Sequence, residues 1–249
     1  MLNSTAQKFN LSGNALKIFG AVTMLIDHIG VILFPKLTVL RIIGRLSFPI
    51  FSFMIAEGAT HTKNKLKYFG GVFALGVICQ IVLFFYDGKA KLNVLISFSI
   101  GILAVYSLEL MKKIMLSDCF KPIIRLCSLI ILPATVFAIY RLNELLRIDY
   151  GFYGCLAPVG AALFKAPKNC DNKILKRLDN HFIHLLCFGV CILFMNLHYG
   201  GIQVYSAFAL IPLLFYSGKR GKLNMKYFFY LFYPLHLALL EGIYMLFFK

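Results

Sequence analysis

The sequence has 249 residues, of which 60% are hydrophobic, and its formal net charge is +16. Apolar runs of roughly the length of a membrane-spanning helix recur from Leu16 to the C-terminus, which excludes a water-soluble globular protein. Runs of this length favour helices over barrel strands, because backbone amides in hydrocarbon must be paired within their own segment. The sequence therefore predicts an all-α, polytopic membrane protein with a single integral-membrane domain over residues 1–249.

Nine membrane-spanning helices are predicted. The polar residues before the first span lack the pattern of a cleavable signal peptide, so we expect that span to be an anchor. The sixth and eighth spans are short and contain Pro158 and Pro212, so we expect them to be tilted, kinked or enclosed by other helices. The predicted spans cover residues 16–34, 40–60, 66–86, 94–111, 123–140, 150–164, 182–197, 203–216 and 227–248.

The positive charges predict the orientation. With the N-terminus in the cytoplasm, seventeen lysines and arginines fall in the inner segments and six in the outer ones. This asymmetry follows the positive-inside rule and predicts a multi-pass protein of the cell membrane, expected to be a bacterial cytoplasmic membrane. It also accounts for the net charge without a nucleic-acid partner.

The first two spans carry most of the unusual polar residues. An ionisable group at the centre of a bilayer costs at least about 2.5 kcal/mol, so it should face a partner or a wet cavity and is by default a functional candidate. The groups inside or at the edges of these two spans are Lys17, Asp27, His28, Arg41, Arg45 and Glu57.

Helix geometry orders these groups by depth. Lys17 and His28 share one helix face to within about 20°, and His28 lies about 18 Å from the cytoplasmic edge. On the returning second span Arg45 comes near the level of Asp27, which predicts a buried ion pair. Glu57 comes near the level of Lys17. Arg41 lies closer to the outer edge, so an interfacial anchor and a cavity-lining residue both stay open for it.

Further polar groups fall at depths where they could line one cavity with His28. The outer ends of the helices supply the expected mouth of that cavity. No cysteine pair has metal-ligand spacing, so no metal site is predicted. The candidate lining residues are Arg41, Gln80, Asp149, Tyr150, Tyr233, His236 and Glu241.

Four segments carry a resemblance to a known family. The runs MLIDHIG, RIIGRLSFPIFSFMIAEGATHTKN, DYGFYG and FYPLHL resemble the TraX family, whose founding member is a conjugative-plasmid protein associated with N-terminal acetylation of pilin. That family is similar to a broader superfamily of transmembrane acyltransferases, which move an acyl group from cytoplasmic acyl-CoA to an acceptor at the outer face. The resemblance implies the same activity here, with acetyl-CoA as the expected donor substrate and no resident cofactor.

The resemblance also implies residue roles. The superfamily has a basic residue, ten residues of spacing and then a histidine on its first helix, and Lys17 and His28 meet this pattern. It implies His28 as the catalytic residue and Lys17 as a contact for the CoA phosphates. Glu57 and His61, at the inner end of the second span, complete the expected acyl-CoA site.

Acyl transfer chemistry agrees with these roles. A neutral histidine, with an unperturbed pKa near 6.5, can remove a proton from an attacking amine or hydroxyl. Arg45 or Gln80 can stabilise the oxyanion, and Asp27, about 100° around the helix from His28, is expected to act through Arg45. A covalent acyl-histidine intermediate stays open.

Two other function classes explain some of these features. A small-molecule transporter or flippase would use the intramembrane charges as a translocation path, whereas a scaffold has no use for them. Only an enzyme consumes acyl-CoA. No residue selects the acceptor among a peptide N-terminus, a glycan and a lipid headgroup.

Overall fold

A computed structural model describes residues 10–87, 91–167, 170–223 and 225–247. Seven helical segments in this part of the chain are long and apolar enough to cross a membrane, and two shorter apolar segments accompany them. Two of the seven, Thr38–His61 and Pro122–Leu145, each consist of two helices separated by a short break. The β-type pairings found there are isolated bridges, Leu11 with Tyr216 and Leu92 with Ile148. The prediction of an all-α, polytopic membrane protein is therefore confirmed.

The helices are numbered in chain order. A 3-10 helix over Gly201–Ala209 lies between α10 and α11. The α-helices are α1 (Gly13–Ile32), α2 (Thr38–Gly44), α3 (Ser47–His61), α4 (Lys65–Asp87), α5 (Val94–Met115), α6 (Pro122–Ser128), α7 (Ile131–Leu145), α8 (Gly151–Ala162), α9 (Lys173–Leu178), α10 (His181–Tyr199), α11 (Leu210–Leu214) and α12 (Lys226–Phe247).

The predicted second and fifth spans are each broken in two. Each break ends shortly before a proline, Pro49 in α3 and Pro133 in α7. A proline has no N–H to donate and its ring clashes with the carbonyl four residues earlier, at Arg45 and Leu129 respectively. Arg45 and Leu129 both lie in the short segments between the paired helices, so each helix ends at the carbonyl that the proline leaves without a donor. The chain turns there, and the next helix begins. The short predicted sixth and eighth spans correspond to the shorter apolar helices.

The chain divides into two compact units. The first consists of Met1–Met54 and Asn196–Lys249, and the second of Ile55–Met195.

In the first unit, α1 packs against α2 and α12. Lys17, near the start of α1, lies over the Phe229 ring near the start of α12, and His28 contacts His236 further along both helices. The two helices therefore run in the same direction. A first and last described span that run the same way imply an odd number of crossings.

The beginning of α1 is tied to the chain that precedes α12. The first N–H groups of a helix have no partner inside it. The Ser12 hydroxyl accepts a hydrogen bond from the Ala15 N–H, while the backbone N–H groups of Gly13 and Asn14 donate to the carbonyls of Lys219 and Arg220. These bonds hold α1 in a defined place within the first unit.

In the second unit, α5 is the central helix and packs against α4, α6, α7 and α8. The Asn93 side chain caps its N-terminus by accepting from the N–H groups of Leu95 and Ile96. Near its other end the buried Lys112 ammonium donates to the carbonyls of Ala162 and Lys165, each at 2.9 Å. This lysine therefore satisfies backbone groups at the C-terminal end of α8.

Candidate functional site

The centre of the candidate site is the carboxylate of Asp27 on α1. Nη2 of Arg45 donates to Oδ1 at 2.8 Å and to Oδ2 at 3.0 Å. The side chains of both residues are only 13% exposed. The buried ion pair predicted from the sequence is present.

Arg41 also belongs to this cluster. Nη1 of Arg41 donates to Oδ2 of Asp27 at 2.9 Å, which favours a site position over an interfacial anchor. Arg41 and Arg45 are four residues apart, so they lie on the same side of this turn and both reach one carboxylate. Depth along a helix axis does not include the length of an arginine side chain, so depth alone left the position of the Arg41 guanidinium open.

Close approach of the backbones makes this cluster possible. A Cβ at Gly30 of α1 would lie 2.8 Å from the Leu40 Cβ and 3.4 Å from the Arg41 Cδ. A Cβ at Gly44 of α2 would overlap with the Asp27 carboxylate itself. Glycine at these two positions brings α1 and α2 close enough for the carboxylate to be shared.

Gln203, in the 3-10 helix, was not predicted as a site residue. Its Oε1 accepts a hydrogen bond from Nη1 of Arg45 at 3.2 Å, and the residue is 7% exposed. The Arg45 Nε also donates to the backbone carbonyl of Arg41, at 3.3 Å. The guanidinium of Arg45 is thus oriented by a carboxylate, an amide and a carbonyl.

His28 and His236 form a direct pair between α1 and α12. Nε2 of His236 lies 3.0 Å from Nδ1 of His28, and the ring centroids are 4.9 Å apart. Nδ1 of His236 lies 2.6 Å from the Phe232 carbonyl oxygen. Depth alone predicted that His236 is near His28, and the structure places the two rings in hydrogen-bonding contact.

Aromatic side chains surround this pair. The Phe232 ring stacks on His236 with a centroid distance of 4.7 Å, and the buried Tyr233 ring meets it edge-on at 5.9 Å. On the same pair of helices, Lys17 Nζ lies 5.9 Å from the centroid of Phe229. The helix face that carries Lys17 and His28 therefore faces α12. Glu241 also lies in α12.

The expected acyl-CoA contacts Glu57 and His61 belong to the second unit. The Glu57 carboxylate pairs with Lys165, whose ammonium also donates to the Thr60 hydroxyl at 3.2 Å. Nδ1 of His61 lies 2.9 Å from the Glu57 carbonyl oxygen, and its side chain is largely exposed. A role of either residue in binding acyl-CoA stays a prediction.

Three expected cavity residues gather near the start of α5 in the second unit. Gln80 accepts from the Asn93 N–H at 2.8 Å and donates to the Lys91 carbonyl at 3.1 Å. Asp149 pairs with the Lys91 ammonium at 2.7 Å, and the adjacent Tyr150 has a left-handed backbone with φ of 56°. Gln80 and Asp149 thus hold the chain at the N-terminus of α5.

The described residues contain no group of three or more histidines, cysteines, aspartates or glutamates placed to hold a metal ion. The polar clusters described above are ion pairs and hydrogen-bonded pairs.

Comparisons with known proteins found one family model and two curated relatives. A family model described as "TraX protein" matches residues 12–244. A probable fimbrial assembly protein FimC (serogroup H1) of Dichelobacter nodosus is 26% identical over 94% of this chain and 96% of its own length. An uncharacterized protein of Rickettsia prowazekii is 36% identical over 36% of this chain and 35% of its own length. No solved structure is significantly similar.

Proposed function

Because the chain belongs to the TraX family, we propose that it is a membrane-bound acyltransferase that takes an acyl group, acetyl in the first instance, from cytoplasmic acyl-CoA. The acceptor is an amine or hydroxyl at the outer face. The observation that carries this proposal is the His28–His236 pair on α1 and α12, one residue from an aspartate that two arginines share.

His28 is the general base in the proposed reaction. Its ring takes the proton from the acceptor N–H or O–H as that nitrogen or oxygen forms a bond to the acyl carbonyl carbon. The carbon–sulfur bond then breaks, and the departing CoA sulfur takes the proton from the imidazolium. A histidine is suited to both transfers because its ordinary pKa lies near neutral pH.

The Asp27 cluster supplies a fixed positive charge. One carboxylate and the guanidinium groups of Arg41 and Arg45 carry a formal sum of +1, held in place by mutual hydrogen bonds. A preorganised cation in a water-poor site stabilises the negative oxygen of a tetrahedral intermediate. We assign this role to Arg45, with Asp27 as its positioning partner.

Lys17 is the proposed contact for the donor. It stands near the N-terminal end of α1, on the helix face that also carries His28. A lysine there attracts the CoA phosphates as a point charge. Donor and base would then lie along one face of a single helix.

The proposed acceptor follows from the name of one relative, a probable fimbrial assembly protein. The fimbrial assembly protein of Dichelobacter nodosus covers nearly the whole of this chain. We propose that the chain described here also acts in the assembly of a surface filament. The proposed acceptor is the terminal amine of a filament subunit. The proposed location is the bacterial cytoplasmic membrane.

The donor role is tested with purified protein in lipid nanodiscs and radiolabelled acetyl-CoA. Lys17→Ala should weaken acetyl-CoA binding about tenfold, whereas Lys17→Arg should retain most of it because the charge remains. Lys36→Ala, at an exposed loop position, is the matched control and should bind normally. Equal affinities in Lys17→Ala and the parent protein would remove this role.

The reaction itself is tested in cells. Mass spectrometry of envelope fractions from a deletion strain and its parent should show an acyl mass lost from a surface component. A transporter would instead leave acylation intact and consume no acetyl-CoA. Identical acyl masses in both strains would contradict the proposed activity.

A further inference from the structure

The hydrogen bonds around His236 determine where the protons of this histidine pair sit. A carbonyl oxygen can only accept, so the contact between Nδ1 of His236 and the Phe232 carbonyl requires the proton to be on Nδ1. In the neutral His236 ring, Nε2 is then the acceptor. The nitrogen facing it, Nδ1 of His28, is therefore the donor in this contact. The His28 ring also has a backbone hydrogen-bond partner on its own helix, at Met24. We assign these protons from the hydrogen-bond network.

We propose that His236 is a positioning residue that holds neutral His28 in the tautomer with its proton on Nδ1 and its lone pair on Nε2. The inference rests on the proposed function in one respect, namely that this lone pair is the base. In water the imidazole side chain prefers the opposite tautomer, with the proton on Nε2. A histidine in that form presents a donor where the reaction needs an acceptor.

The packing around His236 suits it to this task. The residue is 5% exposed, and its ring lies between the stacked Phe232 ring and the edge-on Tyr233 ring. With Nδ1 bound to a helix carbonyl, the ring has one orientation available. The hydrogen-bond partner of a catalytic or metal-bound histidine sets its tautomer in the same way.

The arrangement also separates the roles of His236 and Asp27. The Asp27 carboxylate is occupied by Arg41 and Arg45. It therefore does not orient the His28 ring, although it is the next residue in the chain. The partner in the histidine pair comes from α12, 208 residues later in the chain. The Met24 backbone on α1 is the other hydrogen-bond partner of the His28 ring, and the His236→Leu variant separates the two contributions.

Nitrogen NMR of protein labelled with ¹⁵N in its histidine rings reads the tautomer directly. The His28 signals are identified by their loss in His28→Gln. In the parent protein Nδ1 of His28 should resonate as a protonated nitrogen and Nε2 as an unprotonated one. In His236→Leu the Nε2 signal should move toward the protonated position. His236→Gln, whose amide oxygen can accept from Nδ1 of His28, should restore much of the parent pattern.

Kinetics provide the second readout. His236→Leu should lower kcat about 10- to 100-fold with little change in the KM for acetyl-CoA, and His236→Gln should recover part of that loss. His198→Leu, at an exposed position near the end of α10, is the control and should change neither readout.

Two results would overturn the inference: a protonated Nε2 on His28 in the parent protein, or an unchanged tautomer in a folded His236→Leu variant. The NMR experiment needs no turnover. A protein with the assigned tautomer and no acetyl-CoA consumption would therefore contradict the proposed activity and leave the role of His236 intact.

Discussion

At the scale of single residues, Asp27 is the group whose removal we expect to destabilise the protein most. It is a partly buried carboxylate that accepts from two guanidinium groups, and both arginines come from one turn of the chain. Removing one member of a buried ion pair typically destabilises a protein by about 3–5 kcal/mol, because the remaining charge has no partner. Removal of Asp27 takes the carboxylate from both arginines, whereas removal of either arginine leaves Asp27 paired with the other one.

The first prediction follows from this difference. Asp27→Asn should lower folded yield and the thermal midpoint in detergent more than Arg45→Gln, and Arg45→Gln more than Arg41→Gln, since Arg41 is the more exposed of the two arginines. The double variant Asp27→Asn, Arg45→Gln should recover part of the yield lost in Asp27→Asn.

The matched control for this series is Asp118→Asn. Asp118 also pairs with an arginine, Arg125, but its side chain is 99% exposed. An exposed pair contributes about 0–1 kcal/mol, so this variant should melt like the parent protein. Equal losses from Asp118→Asn and Asp27→Asn would show that burial of the cluster is not what matters.

The candidate site could be predicted from the sequence only in part. Asp27, His28 and Arg45 stand out because charged residues interrupt apolar runs, and helix geometry places Asp27 and Arg45 at one level. Gln203 and the hydrogen bond between His28 and His236 could not be found this way. They depend on how helices far apart in the sequence pack side by side, and no local pattern encodes that packing.

At the scale of helices, the prolines have different effects, and the sequence predicts only some of them. Pro158 and Pro212 mark the two short spans, as expected. Pro49 and Pro133 lie within long apolar runs and break the helices before them, whereas Pro158 lies inside α8 without ending it. The outcome depends on whether neighbouring residues and helices satisfy the carbonyl that a proline leaves free. The sequence alone does not contain that information.

The second prediction concerns the contact between α1 and α2. Gly44→Ala should destabilise the protein by about 1–3 kcal/mol, because the added methyl group overlaps with Asp27 and must push the helices apart. Gly242→Ala in α12 is the control, since a methyl group there meets nothing within 4 Å. Thermal midpoints in detergent provide the comparison. A Gly44→Ala variant as stable as Gly242→Ala would contradict the close approach of α1 and α2.

The third prediction concerns α5 and α8. Lys112→Met should lower stability by about 1–3 kcal/mol, because two backbone carbonyls at the end of α8 lose their donor in a buried place. Lys113→Met, the exposed neighbour on α5, should stay within about 0.5 kcal/mol of the parent protein. If both variants melt alike, Lys112 does not cap α8.

At the scale of the whole molecule, two independent observations bear on topology. The asymmetry of lysines and arginines predicts a cytoplasmic N-terminus, and the parallel packing of α1 and α12 implies that the chain ends on the opposite side. Composition and apolar runs were sufficient to predict the fold class. The division into two compact units was not predicted, because it follows from packing.

The fourth prediction tests the orientation with an impermeant thiol reagent on intact cells. In a background without the seven native cysteines, a cysteine at Lys36, between α1 and α2, should be labelled. A cysteine at Lys173, at the start of α9, should react only after the membrane is permeabilised. Both positions are exposed on the protein surface, so a difference in labelling reports the side of the membrane and not burial. Lys89, which the sequence predicts to lie in an outer loop, is outside the described residues. The reverse labelling pattern would mean that the N-terminus faces outward.

The most direct test of the central claim is turnover of acetyl-CoA by the purified protein in nanodiscs, with a peptide that has a free terminal amine as the acceptor. The parent protein should release free CoA thiol and acetylate the peptide. His28→Ala and His28→Gln should insert and fold, yet release CoA no faster than protein-free nanodiscs, because neither substitute titrates near neutral pH. A well-folded His28→Gln variant that turns over acetyl-CoA at the parent rate would contradict the assignment of His28 as the base.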